Sequence, residues 1–484
     1  MFCRLIVTEA FGAVLSLLRR FSVGCKLFVV FSRISDREVV PGINDNMPYI
    51  GGFLGLSIHS NSSTMKKTVT TIVFLACILA PCVAGARDCT SGLDGNASCN
   101  PDLKMDKALE ENAPSGLGQS RFAFAGKDDK FYMAICGYAK VTASYDFGSP
   151  LDNPNEFITS EINVNPEPGN GGEVHFSAMQ TFLGLNFVAL PESEDKIGVF
   201  VGANFLKDYT PVLQHAYIKW RGLEAGYDYS LFSDTGCSPA TIDYEGPNAY
   251  TAIPTSLVSY TVRFGRNKEW TVAAGVEKPL YSVTAGEGAG TVKQRVPDIP
   301  AYIKYSWDGG NSWVRLSGIL RNMQYRDEVF QKNYNKVGWG VQLSGTASLS
   351  NFITAYWQGA YGHGIASHIQ DLCGVNMDMV PAGDGKMRCV PAWGAFVGLQ
   401  YNFSEKVFAT TAYSHVRTYA DPYKGGEISY GDQYRYAQYA TANVFWQVTP
   451  VIQTGLEYIY GRRVDYSGAQ GHDNRIQACV QVNF

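Results

Sequence analysis

The side chains in this sequence that are best suited to chemistry are cations on the polar side of long alternating segments. The opposite side of each segment is apolar or aromatic, which is the pattern of an extended strand between two different environments. The cations assigned to the polar sides are Lys140, Lys219, Arg263, Lys304, Arg315, Arg321 and Arg417. Several cations on adjacent strands would stabilise an anion in passage and repel a small cation, so the chemistry is electrostatic.

Acidic residues accompany these cations in one long segment. Residues 233–255 form a predicted loop, and this region carries Asp234, Asp243 and Glu245. If the loop folds inward, it narrows the passage and sets acids opposite the cations. The resulting transverse field orients dipolar solutes. The alternative is that these charges only hydrate a wet interior and form salt bridges there. The sequence leaves both interpretations open.

Strands must position these residues, and the alternation is nearly continuous from Phe131 onward. It predicts sixteen strands at about 131–146, 173–190, 196–207, 212–222, 223–233, 256–265, 269–279, 298–308, 311–326, 335–348, 351–366, 392–404, 406–420, 433–448, 451–465 and 472–484. Each strand is long enough to cross a bilayer at a tilt. The pattern predicts an all-β fold, a closed transmembrane antiparallel β-barrel of about 16 strands with short periplasmic turns and long outer loops.

The last strand carries two further signals. Its polar and apolar residues alternate without a break up to Phe484, and a terminal aromatic residue is typical of barrels that the barrel assembly machinery inserts. Closure requires strand 131–146 to pair with strand 472–484, because a barrel leaves no free edge. On that pairing we expect Cys136 and Cys479 to be neighbours inside the barrel.

The N-terminal part divides into three segments. A basic start at Met65, an apolar run and a small-residue motif ending at Ala86 predict a signal peptide over 65–86. Residues 1–64 have no coherent pattern and are interpreted as a misassigned or untranslated extension. Residues 87–130 form a polar periplasmic segment in which a short helix is possible at 103–110, and the barrel occupies 131–484.

Other classes of protein are excluded by what the sequence contains. Seven scattered His and the lack of a C-x-x-C motif argue against a metal site or other cofactor, and no G-x-S-x-G motif suggests a hydrolase. A net charge of -4 does not fit a surface that coats nucleic acid. In an oxidising compartment, Cys373 and Cys389 bracket one loop and form a candidate disulfide. Cys89 and Cys99 form a second candidate.

Short motifs in the first half of the predicted barrel resemble the DcaP-like trimeric outer-membrane porins. They are GYAK at 137–140, LQHAYI at 213–218, LEAG at 223–226 and DYEGPN at 243–248. The resemblance implies a homotrimer in the outer-membrane lipid of a Gram-negative bacterium that passes small polar, often anionic, solutes. The alternative function is an adhesin, receptor or structural scaffold built on the same barrel.

Overall fold

The computed structural model describes residues 101–114, 117, 122–148, 150–166, 171–284, 289–425 and 429–484. The predicted extension, the signal peptide and the pair Cys89 and Cys99 lie outside these residues. The helices are α1 (Pro101–Asn112) and single 3-10 turns at Lys127–Asp129, Thr159–Glu161, Asp308–Gly310, Ala366–His368, Gln370–Leu372 and Asp421–Tyr423. The strands are β1 (Phe122–Ala125), β2 (Phe131–Asp146), β3 (Glu173–Ser177), β4 (Phe182–Ala189), β5 (Ile197–Lys207), β6 (Thr210–Trp220), β7 (Leu223–Tyr229), β8 (Pro254–Phe264), β9 (Trp270–Glu277), β10 (Ala289–Thr291), β11 (Ile299–Trp307), β12 (Ser312–Asp327), β13 (Lys332–Ser350), β14 (Ile353–His363), β15 (Met379–Pro381), β16 (Met387–Cys389), β17 (Pro391–Asn402), β18 (Val407–Thr418), β19 (Tyr434–Gln447), β20 (Ile452–Asp465) and β21 (Gln470–Asn483).

The main sheet closes on itself as an antiparallel barrel. It contains 19 strands, of which β1 and β10 are short additions to the wall. One half of β2 pairs with β4 and the other half with β3, so β3 and β4 are two pieces of one wall strand. β2 also pairs with β21, which closes the ring. The wall therefore has sixteen strand positions, and the predicted barrel, strand number and closure are confirmed.

The register between β2 and β21 does not bring Cys136 and Cys479 together as expected. Cys479 lies opposite Thr142, six residues along β2 from Cys136, which is about 20 Å at the rise of a strand. The predicted contact between Cys136 and Cys479 is therefore wrong, although both side chains are buried inside the barrel. β21 stops opposite Tyr138, so the first part of β2 needs another partner.

The short strand β1 is that partner. It pairs with β2 from Phe122 opposite Ile135 to Ala125 opposite Tyr132. β1 thus continues the line of the wall where the C-terminal strand ends. The rings of Phe122 and Phe484 lie 6.5 Å apart, so the C-terminal residue is packed against β1.

The outer face of the wall is apolar, with an aromatic band near the short turns. Exposed Phe264 stacks on Trp270, whose ring lies 4.8 Å from that of Tyr305, and Tyr305 stacks on Trp307. Such a band is typical of the boundary between hydrocarbon and headgroups. No helix among the described residues has the length and apolar character needed to cross a membrane.

The interior of the barrel is packed by three long connections that fold inward. The connection 230–253 follows β7, the connection 364–390 follows β14, and residues 150–163 follow β2; each contributes fully buried side chains. The largest apolar cluster joins Phe232 and Ile365, from two of these connections, to Val416 of the wall. The hydrophobic core of this protein therefore lies inside the barrel.

The N-terminal helix also lies inside the barrel. α1 packs Ala108 and Leu109 against Tyr132, Ala134 and Val188, which lie on the inner face of β2 and β4. The helix expected within 103–110 is confirmed and is longer than expected. It occupies the end of the barrel that carries the short turns.

Candidate functional site: the lumen

A row of cations crosses the inner wall near the short turns. Arg263 on β8 and Lys304 on β11 both pair with Thr271 of the intervening strand β9. Lys304 pairs on its other side with Arg315 of β12. Neighbouring strands lie about 4.8 Å apart, so the row spans roughly 14 Å. We call Arg263, Lys304 and Arg315 the basic row.

The three members of the basic row differ in their surroundings. Arg263 is exposed, whereas Lys304 is partly exposed and places Nζ 3.9 Å from the centre of the Trp313 ring. Arg315 is 8% exposed, and its guanidinium stacks 3.7 Å from the centre of the Tyr302 ring. An aromatic face stabilises a cation without neutralising its charge. The contacts of Lys304 and Arg315 with these rings therefore leave the positive field of the row in place.

Arg315 also anchors the inward connection 230–253. Its Nη2 donates a hydrogen bond to the carbonyl O of Leu231, and its Nη1 lies 3.9 Å from Oδ1 of Asp234. Asp234 in turn accepts hydrogen bonds from Nε1 of Trp313 at 3.0 Å and Oγ of Ser344 at 2.6 Å. Arg315 thus belongs both to the basic row and to the attachment of the connection.

A cavity of about 320 Å³ lies beside Arg315 in the lumen. It also contains Lys219, whose Nζ lies 3.9 Å from Glu224 Oε2, and His215, whose Nδ1 lies 2.8 Å from Asp228 Oδ1. Opposite charges therefore line one small space. A larger cavity of about 970 Å³ lies at the end with the long loops.

Two cations predicted to line the pore are instead buried and bind groups of the inward connections. Lys140 points inward, but its Nζ donates a hydrogen bond of 3.0 Å to the carbonyl O of Ile242 in the connection 230–253. Arg321 also points inward and lies 3.1 Å from carboxylate oxygens of both Asp298 and Asp378. Both side chains attach long connections to the wall. The interior next to them is packed protein and not solvent.

Arg417 lies on the outer face of the barrel, so its predicted place on the inner face is wrong. Its guanidinium stacks over the rings of Tyr419 at 5.0 Å and Tyr436 at 5.8 Å. The adjacent Val416 and Thr418 face inward and are buried. The inner face of β18 carries small buried residues, among them Ser414, Val416 and Thr418, because it packs against the inward connections. The large polar side chain of Arg417 lies on the other side, so the rule that places the polar side inward fails here.

The connection 230–253 folds inward, but its three acids face the packed interior. Asp243 accepts hydrogen bonds from the backbone N of Phe157 at 2.9 Å and from the hydroxyl of Tyr439 at 3.1 Å. Burial, reinforced by the charge of Glu457, raises the pKa of Asp243 to about 7. Burial and the neighbouring charge of Asp371 also raise the pKa of Glu245 well above its usual range.

Glu457 is a functional residue that sequence reasoning missed. From the inner face of β20 it accepts hydrogen bonds from the backbone N of Ile242 at 3.0 Å and of Asp243 at 2.9 Å. It therefore holds the middle of the connection 230–253 against the wall at β20. The only signal in the sequence was an acid on the polar side of a predicted strand, which did not distinguish an anchor from a pore-lining charge.

Cys373 and Cys389 are free thiols in the structure, so the predicted disulfide between them is not formed. Between them the chain passes through the buried segment 377–380, and Sγ of Cys389 lies 3.7 Å from the carbonyl O of Val337 on β13. The loop that they bracket is thus packed inward and does not bring them together. Across the described ranges, no cluster of three His, Cys, Asp or Glu side chains has the arrangement of a metal site.

Comparison with solved structures identifies an outer-membrane channel of the same fold. The outer-membrane channel DcaP of Acinetobacter baumannii superposes with a TM-score of 0.64 at 19% identity and covers 75% of this chain and 100% of that chain. The anion-selective porin from Comamonas acidovorans has a TM-score of 0.48 at 9% identity and covers 73% of this chain and 100% of that chain. The fold that the resemblance to DcaP-like porins implied is confirmed. No curated protein sequence matches the chain.

The sequence itself also matches a protein family. Residues 171–481 match the family described as the porin subfamily, and this match covers more than half of the chain. Porins are channels of the Gram-negative outer membrane, in agreement with the closed barrel, its apolar outer face and its charged lumen. The chain therefore belongs to the porin subfamily and forms an outer-membrane channel.

Proposed function

We propose that this porin passes small polar solutes by passive diffusion and favours anions. The observation that carries the proposal is the basic row, in which Arg263, Lys304 and Arg315 face the lumen on nearly adjacent strands. These side chains extend over about 14 Å of the wall, measured across the strands, so a solute that passes this level of the lumen meets positive charge on that side. Neighbouring members of the row lie about 5 to 10 Å apart, which is comparable with the Debye length of about 8 Å at physiological salt, so their fields overlap.

The acids nearby do not cancel this charge. Asp234 and Arg315 face each other at 3.9 Å and partly neutralise one another. Among the described residues, however, no carboxylate lies within salt-bridge distance of Arg263 or Lys304. Two cations without a salt-bridge partner among the described residues therefore remain at the lumen. We extend the proposal to a homotrimer in outer-membrane lipid, as the resemblance to trimeric porins implies.

Solute uptake by proteoliposomes tests the proposal. Liposomes that contain the protein should admit a small monovalent organic anion faster than a neutral sugar of similar size. The double variant Arg263→Gln, Lys304→Gln should lose that preference and keep the rate for the sugar, because the side chains stay similar in length. Arg266→Gln, in the exposed short turn after β8, is the matched control.

Two outcomes contradict different parts of the proposal. If the double variant keeps the full preference for the anion, then the basic row does not select solutes. If the wild-type barrel admits neither solute, it is no diffusion channel, and a role as adhesin, receptor or scaffold gains support. Heat-modifiable migration on a gel must show a folded barrel in every sample.

A further inference from the structure

We propose that α1, together with Ala113, Pro114 and Leu117, forms a retractable gate in the periplasmic mouth of the pore. The proposal rests on the channel function but does not depend on anion preference. Ala113, Pro114 and Leu117 line the same 320 Å³ cavity as Arg315. The N-terminal segment therefore lies in the path of a solute that moves past Arg315.

One side chain, Asn112, fixes the end of the helix in the lumen. Its Nδ2 donates a hydrogen bond of 2.6 Å to Oδ1 of Asn186, and Nδ2 of Asn186 donates one of 2.7 Å to the carbonyl O of Leu109. The hydroxyl of Tyr217 donates a hydrogen bond of 2.6 Å to the carbonyl O of Asn112. These buried groups pair with one another and occupy one wall, formed by β4, β5 and β6. Asn112 is thus a specific latch.

A glycine in the wall leaves the space that the side chain of Asn112 occupies. A Cβ atom built on Gly198 of β5 would lie 1.9 Å from Oδ1 of Asn112, and the atoms nearest to it all belong to Asn112. Real side chains do not approach so closely. Gly198 therefore leaves room for Asn112, and the wall itself gains nothing from a glycine in a strand.

The apolar contacts of the segment are few. Ala108 and Leu109 are buried in a small cluster with inner-wall residues, and Ala113 and Leu117 are packed at the edge of a second one. A helix of 12 residues is too short to be stable alone in water. It stays folded because the wall supports it, and a modest loss of contact should release it.

The charge of the helix complements the mouth. Lys104 Nζ lies 2.5 Å from Glu192, and Lys196 Nζ lies 2.6 Å from Glu111. These pairs are exposed, so each contributes little to stability. Burial opposes the ionisation of Glu111, but the hydrogen bond from Lys196 and the charges of Lys196, Lys107 and Arg263 lower its pKa overall. A seated helix thus holds a carboxylate near the basic row and weakens its field.

Single-channel recording of Gly198→Ala tests the gate. The added methyl group should expel Asn112 while the strand remains unstrained, because an extended residue accepts alanine. A helix with its side chains is about 10 Å across, so emptying the mouth should raise conductance about two-fold. Anion preference should rise as well, because Glu111 then leaves Arg263. Gly359→Ala is the matched control, since its nearest neighbour would be a side-chain atom of Ala395 at 3.9 Å.

A second variant keeps the test decisive if Gly198→Ala folds poorly. Asn112→Ala leaves the barrel sequence unchanged and removes the latch, so it should give the same increase in conductance. If both variants fold and conduct like the wild type, the gate is refuted while the channel function stands. If the folded wild-type protein does not conduct, the proposed function fails first.

Discussion

The buried ion triad of Arg321 gives the sharpest quantitative prediction. Arg321, Asp298 and Asp378 are each almost completely buried, and the two N–O distances are both 3.1 Å. Arg321 also donates hydrogen bonds to the carbonyl oxygens of Gly364 and Leu280. Burial and the charge of Arg321 lower the pKa of the adjacent His368 well below its usual value, so in the wild-type protein His368 is neutral and Arg321 supplies the positive charge at this site. The substitution Arg321→Met would leave two carboxylates buried without a counter-ion.

Breaking a buried ion pair by removing one partner costs about 3–5 kcal/mol. The cost should fall on the connection 364–390, because the hydrogen-bonded wall does not depend on this triad. At about 1.4 kcal/mol per factor of ten, local opening should become about 100- to 4,000-fold more frequent. Hydrogen exchange measured by mass spectrometry on peptides that cover 365–372 would report this directly.

Two variants complete the experiment. In the exposed ion pair of Arg326 and Glu328, Nε lies 3.4 Å from Oε2. Arg326→Met removes this pair and should change hydrogen exchange only slightly. Adding Asp298→Asn and Asp378→Asn to Arg321→Met removes the stranded charges and should restore part of the protection. Exchange in Arg321→Met within about two-fold of the wild-type rate would refute the view that this triad holds the connection in place.

Three further predictions concern the inward connections and the C terminus. Burial raises the pKa of Asp243 to about 7 and of Asp371 to about 6, above the value of about 4 in an unfolded chain. The packing of the connections is therefore strongest below about pH 4 and weakens as pH rises through 6 to 7. Transient channel closures should then be more frequent at pH 8 than at pH 5, and the opposite trend would contradict this. In Gly461→Ala the new Cβ would lie 2.4 Å from the Phe157 ring, so residues 150–163 should become sensitive to protease at a cost of about 1–3 kcal/mol, and unchanged resistance would count against this packing. Deletion of Phe484 should impair barrel assembly but not secretion, and a normal yield of heat-modifiable barrel would contradict its role as assembly signal.

The wall of the barrel could be predicted because its signal is local. Alternation with a period of two reports only that one side of a strand meets lipid, and this holds for most strands of the wall. The same pattern placed Lys219, Arg263 and Lys304 on the inner face, where the structure also places them. The alternation of short turns and long connections followed from the same segmentation.

The contents of the barrel could not be predicted in this way. Alternation does not tell a solvated interior from a packed one, so Lys140 and Arg321 were interpreted as pore-lining although they bind carbonyls and carboxylates of inward connections. On β18 the inner face packs small side chains against the inward connections, and this reversed the assignment of Arg417. The seated position of α1 depends on a pairing of Asn112 with Asn186 across 74 residues, for which no local pattern exists.

The register of closure was also beyond local reasoning. Pairing of the first and last strands followed from the need to remove edges, but the stagger between them is a property of the whole ring. Cys479 therefore lies opposite Thr142, and β1 fills the line beyond Phe484. The short FAFA segment of β1 was too brief to be identified as a strand from the sequence.

The reversal potential of single channels in a salt gradient tests the central claim most directly. Purified wild-type protein in a planar bilayer, with ten-fold more concentrated potassium chloride on one side, should give stepwise conductance. The potential at zero current should have the sign of a chloride-selective pore, and it should move toward zero when Arg263 and Lys304 are both replaced by Gln. A stable, folded barrel without conductance, or a wild-type potential with the sign of potassium selectivity, would contradict an anion-favouring channel controlled by the basic row.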